Sequence, residues 1–183
     1  MMRRLGEQRA AKARERRYGP GYNVGATYYD ARDEAIRRGD RTVGTEHLVL
    51  ALLVDPVSPA ARALGCDLEA GRRALDLLDE QALAAIGIRP RVVAGPVAAR
   101  PAGRLRLTPT AKAVFTGGGD ARKVRGPGLG AVLSSLLDLR QPDPGAELLV
   151  ALGVEGGAVR ERFAELDAVV DAVGDVGDQE GRP

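Results

Sequence analysis

The chain has 183 residues, enough for one compact domain that buries on the order of 70% of its unfolded surface. Its hydrophobic share of 44% comes mainly from Ala, Leu and Val while only 3% of residues are aromatic, which suits closely packed helices and argues against a sheet sandwich. Cys66 is the single cysteine, so no internal disulfide can form; no apolar run or N-terminal leader marks a membrane or secreted protein, and the expectation is a cytoplasmic, all-α chain.

The formal charge of +2 hides an uneven distribution. Arg3, Arg4, Arg9, Lys12, Arg14, Arg16 and Arg17 crowd the start, whereas Asp167, Asp171, Asp175, Asp178 and Glu180 crowd the end. Residues 1–22 therefore read as a basic arm with helix-forming composition but no apolar face beyond Leu5, closed by Tyr18-Gly-Pro-Gly-Tyr22. Residues 174–183 read as an acidic tail.

A first unit spans 23–86. Tyr28, Ala31, Ala35 and Ile36 recur at helical spacing and predict a helix that stops near Gly39. Thr45 is expected to cap the next helix, with Glu46 in its first turn, where the positive end of the macrodipole favours a carboxylate. Leu48, Val49, Leu52 and Leu53 form a wide stripe, and Leu50, Ala51 and Val54 leave little polar surface, so this helix should be buried nearly all round. Pro56 and Pro59 mark an exit and a new start; Ala60, Ala61 and Leu64 predict a small-residue helix ending at Gly65. Asp67 then caps a helix whose Leu68, Gly71, Leu75 and Leu78 share a face.

Residues 87–106, where Pro90, Pro96 and Pro101 recur among Gly and Arg, read as an irregular linker. The second unit, 107–173, opens with Leu107-Thr108-Pro109, an N-cap followed by proline at the first helical position. Ala111, Val114 and Phe115 give its inner face, and Gly117-Gly-Gly119 weakens the helix by roughly 1 kcal/mol per glycine. Val132, Leu133, Leu136 and Leu137 repeat the spacing of the first leucine helix, and Ala151-Leu-Gly153 repeats Ala63-Leu-Gly65. A final helix then sets Val159, Phe163, Leu166, Val170 and Val173 on one stripe. Three echoes in the same order predict a duplication, with the second copy worn by glycine.

The run Ala31-x3-Ala35-x3-Gly39-x3-Val43-Gly44-Thr45-Glu46-His47-Leu48-x-Leu50-Ala51-Leu52-Leu53, followed by Leu64-Gly65-x-Asp67-Leu68, resembles the N-terminal (Clp-N, or Clp repeat) domain of ClpC- and ClpA-type AAA+ chaperones. The resemblance is close over 31–78, looser over 107–166, and covers neither end. It implies an all-α, pseudo-two-fold double four-helix repeat that receives adaptors, substrate proteins, peptides or small ligands for an ATPase ring. That ring is not expected in this chain: no G-x4-G-K-[ST] phosphate loop occurs, and Gly126-Pro-Gly-Leu-Gly130 lacks the lysine and a preceding strand.

The resemblance also implies site residues. The family's phosphoarginine pockets pair a Thr at a repeat start with the Glu of the T-E-H turn; a carboxylate can hold a guanidinium through forked hydrogen bonds, and helix-start amides can receive phosphate. Glu46 matches that Glu while its partner falls near Gly21, and Thr108 matches that Thr while its partner falls near Gly130, so each pocket keeps half its parts. A surface that takes cyclic peptides in the family matches Tyr29, Arg32, Leu107 and Lys112; Leu107 keeps its apolar character and Lys112 its amine, whereas Tyr29 and Arg32 depart from the pattern. No cofactor or metal is implied.

Simpler roles stand beside these. Glu46 has an electrostatic reason to occupy a first turn, Thr108 is an N-cap, His47 has no Cys or His partner at ligand spacing, and Cys66 reads as a small residue at a helix junction. The reading is a non-enzymatic adaptor, decoy or sequestering factor for Clp ATPase or protease components, substrate proteins, peptides or a cyclic-peptide-like small molecule. The alternative is a nucleic-acid-associated regulator gripping phosphates with the basic arm, although no aromatic platform or recognition helix accompanies that arm.

Overall fold

The structure, a computed structural model, describes residues 24–88, 105–116 and 129–177, with side chains described as far as residue 168. The basic arm, the linker from 89 to 104, the Gly117–Gly119 run with the segment to 128, and the tail beyond 177 lie outside the described residues. Among the described residues the fold is mostly helical, with eight helices and a single pair of two-residue strands.

Helix α1 (Val24–Arg38) leads through β1 (Thr42–Val43) into α2 (Thr45–Leu52), α3 (Pro59–Leu64) and α4 (Leu68–Ala85). Strand β2 (Arg106–Leu107) precedes α5 (Pro109–Thr116), α6 (Leu129–Leu137), α7 (Pro144–Ala151) and α8 (Gly156–Gly177). The strands are parallel, Thr42 opposite Arg106 and Val43 opposite Leu107, and the Thr108 N–H continues the ladder by donating to the Val43 carbonyl at 2.9 Å. The end of the expected irregular linker is therefore ordered by pairing. At the other end, α8 continues to Gly177, past the boundary expected at 173.

The helix boundaries follow side-chain chemistry. Ser58 Oγ accepts from Ala61 N at 3.2 Å ahead of Pro59, Asp67 Oδ1 accepts from Ala70 N at 2.6 Å, and Thr108 Oγ1 accepts from Ala111 N at 3.2 Å. Gly65 and Gly153 adopt φ of 73° and 68° after α3 and α7, a left-handed backbone that glycine takes without steric cost.

The start of α2 departs from expectation. Its N-cap is Gly44, not Thr45, and the cap is reversed: the Gly44 N–H donates to His47 Nδ1 at 3.0 Å. Thr45 instead turns its hydroxyl to the other half of the chain, donating to Asp143 Oδ1 at 2.6 Å and accepting from Gly145 N at 3.1 Å. Asp143 Oδ1 also accepts from Gly145 N at 2.9 Å and caps α7. One hydroxyl thereby ties the starts of α2 and α7 together.

Helix α2 is the centre of the core: Leu48, Val49, Leu50, Ala51, Leu52 and Leu53 are all buried. It packs against α1, α4, α5, α6 and α7, which explains the lack of a polar face. Val132, Leu133 and Leu136 of α6 and Val159 of α8 join the same apolar cluster, so the two halves share one core. Glycines allow the closest approaches. A Cβ on Gly71 would lie 2.8 Å from Leu50 Cδ2, and one on Gly145 would lie 2.8 Å from Thr45 Cβ and 3.1 Å from the Thr45 carbonyl carbon.

Candidate binding site

Two helix pairs join the halves at the rim: α3 with α8, and α4 with α7. At the α3–α8 junction the Arg162 guanidinium crosses over and its Nε donates to the Ala63 carbonyl at 2.9 Å, taking up a bond that the end of α3 leaves open. The α4–α7 junction is not filled in this way. A groove of about 580 Å³ lies between Ala74, Leu77, Leu78, Gln81 and Ala82 of α4 and Glu147, Val150 and Ala151 of α7, with Gln141 at one end. That volume lies in the range of sites that accept small molecules or peptide side chains.

The lips of the groove are apolar and open to water, with Leu77 56% and Val150 64% exposed. Glu147 is the one charged side chain lining it, and no ion pair holds Glu147 among the described residues. A second hollow of about 280 Å³ adjoins the first across Gln141 and Val150 and is bordered by Leu139, Arg140, Leu149 and Val154. Together they make a trench in which Gln141 and Val150 line both hollows. Sequence reasoning missed this site. The available signal was Leu77, an apolar residue off the Leu68–Gly71–Leu75–Leu78 stripe that packs inward.

The positions implied by the resemblance are placed as follows. Leu107 pairs with Val43, and Thr108 is held on both sides, its N–H by Val43 and its hydroxyl by Ala111 N. Tyr28 Oη donates to the Leu105 carbonyl at 2.8 Å, which brings α1 beside β2; Tyr29 packs edge-on against Tyr28 with ring centroids 5.4 Å apart and is half exposed. Arg32 NH1 lies 3.4 Å from Asp33 Oδ1, and Lys112 is exposed on α5. Gly130, the position matched to the second Glu, is occupied on its Cβ side by the Phe163 ring, 2.8 Å away.

Glu46 is engaged inside the fold. Its Oε1 is 2.9 Å from His47 Nδ1, and its carboxylate fills the space that a Cβ on Gly44 would need. Burial alone would raise the Glu46 pKa; the hydrogen bond and charge of His47, the Glu46 N–H and the Arg38 guanidinium outweigh it and hold the carboxyl below its ordinary value. The buried His47 ring also places Nε2 2.9 Å from Asp40 Oδ2. Asp40 lies 3.6 Å from Arg38 Nε, and Arg38 pairs with Asp76 and Asp79 of α4.

A second charged cluster surrounds buried Glu34. Its Oε1 is 2.5 Å from Arg72 NH2, and its Oε2 lies 3.0 Å from Arg72 Nε and 2.9 Å from Arg37 Nε. Burial raises this pKa too, but the hydrogen bonds from Arg72 and Arg37 and their charges bring it below the ordinary glutamate value. For Cys66, burial and the neighbouring Asp67 push the thiol upward, away from the thiolate that nucleophilic chemistry requires.

Among the described residues no group of three or more His, Cys, Asp or Glu is arranged to hold a metal ion, and no helix is long and apolar enough to cross a membrane. No family model matches the chain, and no curated protein matches it.

Proposed function

We propose that the chain is a non-enzymatic binding module of the Clp-N type, built from two related four-helix units, which receives apolar peptide segments in the groove between α4 and α7. The adaptor, decoy or sequestering role for Clp components and their substrates belongs to this reading. Its mechanism is equilibrium binding with no covalent step.

The observation that carries it is the unequal pair of junctions at the rim. Aligning Gly65 on Gly153 sets α3 on α7 and α4 on α8, so that α3–α8 and α4–α7 become counterparts. The same register sets Arg62 on Val150, Ala74 on Arg162 and Leu77 on Glu165. The α3–α8 side thus carries charged side chains and the Arg162 guanidinium, while the α4–α7 side carries the small Ala74 between exposed Leu77 and Val150. Exposed aliphatic residues beside a hollow are what a peptide-binding surface requires and what a purely structural junction has no need to keep. The Ala63-Leu-Gly65 and Ala151-Leu-Gly153 turns, each placing a left-handed glycine after its helix, support the duplication.

Immobilised chain should recover Clp components or substrate peptides from a lysate, and the variant L77S/V150S should not. Recovery of neither by correctly folded bait would overturn the reading.

A further inference from the structure

We infer that the α4–α7 groove selects an aliphatic peptide segment carrying a cationic side chain, with Glu147 as the specificity-determining residue. This deepens the binding reading above and depends on it. The occupant follows from the chemistry of the walls. Leu77, Leu78 and Val150 offer aliphatic surface, and the side-chain amides of Gln81 and Gln141 each present both donor and acceptor, as a peptide backbone demands. Glu147 supplies the only charge on the lining.

Several neighbouring carboxylates are engaged in ion pairs, Glu34 with Arg37 and Arg72, Asp76 and Asp79 with Arg38, and Asp138 with Arg160, whereas Glu147 alone among the charged side chains faces the groove. Glu147 has no such partner among the described residues, and its partial burial against apolar walls strengthens its pull on a cation relative to open water. A bound lysine or arginine would lay its methylene stem along Leu77 and Val150 and bring its charge to the carboxylate. In the register that sets Gly65 on Gly153, the position of Glu147 is held by the uncharged Pro59.

The test uses the full chain and three short fluorescein-labelled peptides, identical in a Leu- and Ala-rich frame except for one position that is Lys, Gln or Glu. Fluorescence anisotropy should rank them Lys above Gln above Glu, with about fivefold between Lys and Gln at low salt and less at about 0.5 M. Glu147→Gln should remove the ranking while the Gln peptide binds as before. Equal binding of all three peptides that is lost in L77S/V150S would overturn the charge selection and leave the groove reading standing. A ranking that persists in Glu147→Gln would overturn the assignment to this residue. Absence of binding by every peptide, or binding that survives L77S/V150S, would overturn the groove reading and this inference with it.

Discussion

The Thr45 hydroxyl donates to Asp143 Oδ1 at 2.6 Å although 98 positions separate the two residues in the chain. The same oxygen accepts from Gly145 N, so the start of the most buried helix and the cap of α7 form one polar cluster within an apolar junction. Thr45→Val keeps the shape and removes the hydroxyl, and should cost about 1–2 kcal/mol; Asp143→Ala, which also uncaps α7, should cost about 2 kcal/mol or more. In a double-mutant cycle read by urea denaturation the two losses should fall short of additivity, because they remove one shared interaction.

Gly145 and Gly157 give a paired contrast. A methyl group on Gly145 meets the Thr45 side chain and backbone at 2.8–3.1 Å, so Gly145→Ala should destabilise by about 1–3 kcal/mol through overpacking. Nothing lies within 4 Å of a Cβ on Gly157, at the exposed start of α8, and there alanine should raise stability by about 0.5 kcal/mol. Thermal melts of the two variants should shift in opposite directions.

Protonation of Glu34 should make the fold acid-sensitive. Its folded pKa is depressed, so the stability it contributes is complete above the ordinary glutamate value of about 4.3 and is lost as pH falls through the folded value. Glu46 shifts in the same direction and adds to the effect. Urea midpoints should therefore drop below about pH 4.3, and Glu34→Gln should flatten part of that drop while lowering stability at pH 7 by about 1–3 kcal/mol, since Arg37 and Arg72 lose their shared carboxylate.

The reversed cap at α2 predicts a rescue. His47→Ala leaves the Gly44 N–H without its acceptor, Asp40 without its ring partner and a void in the core, at a cost of about 2–4 kcal/mol. His47→Gln, whose side chain can reach back from the third helical position in the manner of a capping box, should recover about 1 kcal/mol of that loss. Equal losses in the two variants, by denaturation midpoint, would exclude the capping role.

Local chemistry in the sequence was enough to place most helices. The leucine run at 48–53, the helix start at Pro59, the caps at Asp67 and Thr108, and the stops at Gly39 and Gly65 each depend on neighbours within a turn or two. Thr45 was misjudged for the converse reason: its side chain looks like an N-cap locally, and the partner that draws it away stands in α7. Likewise the charged triad at Glu34 draws Arg72 from another helix, and the β1–β2 pair joins segments too short to show any alternation. The α4–α7 groove belongs to no single stretch; it exists only because of which helices meet, and a small side chain at Ala74 is indistinguishable in sequence from ordinary helix filler.

The shared core has a mechanical corollary. Helix α2 of the first half is enclosed partly by α5, α6 and α7 of the second, and β1 takes its strand partner from beyond the linker. Neither half carries enough surface of its own to shield that helix, so a chain nicked between residues 88 and 105 should stay associated as two pieces and come apart in a single concerted melting step.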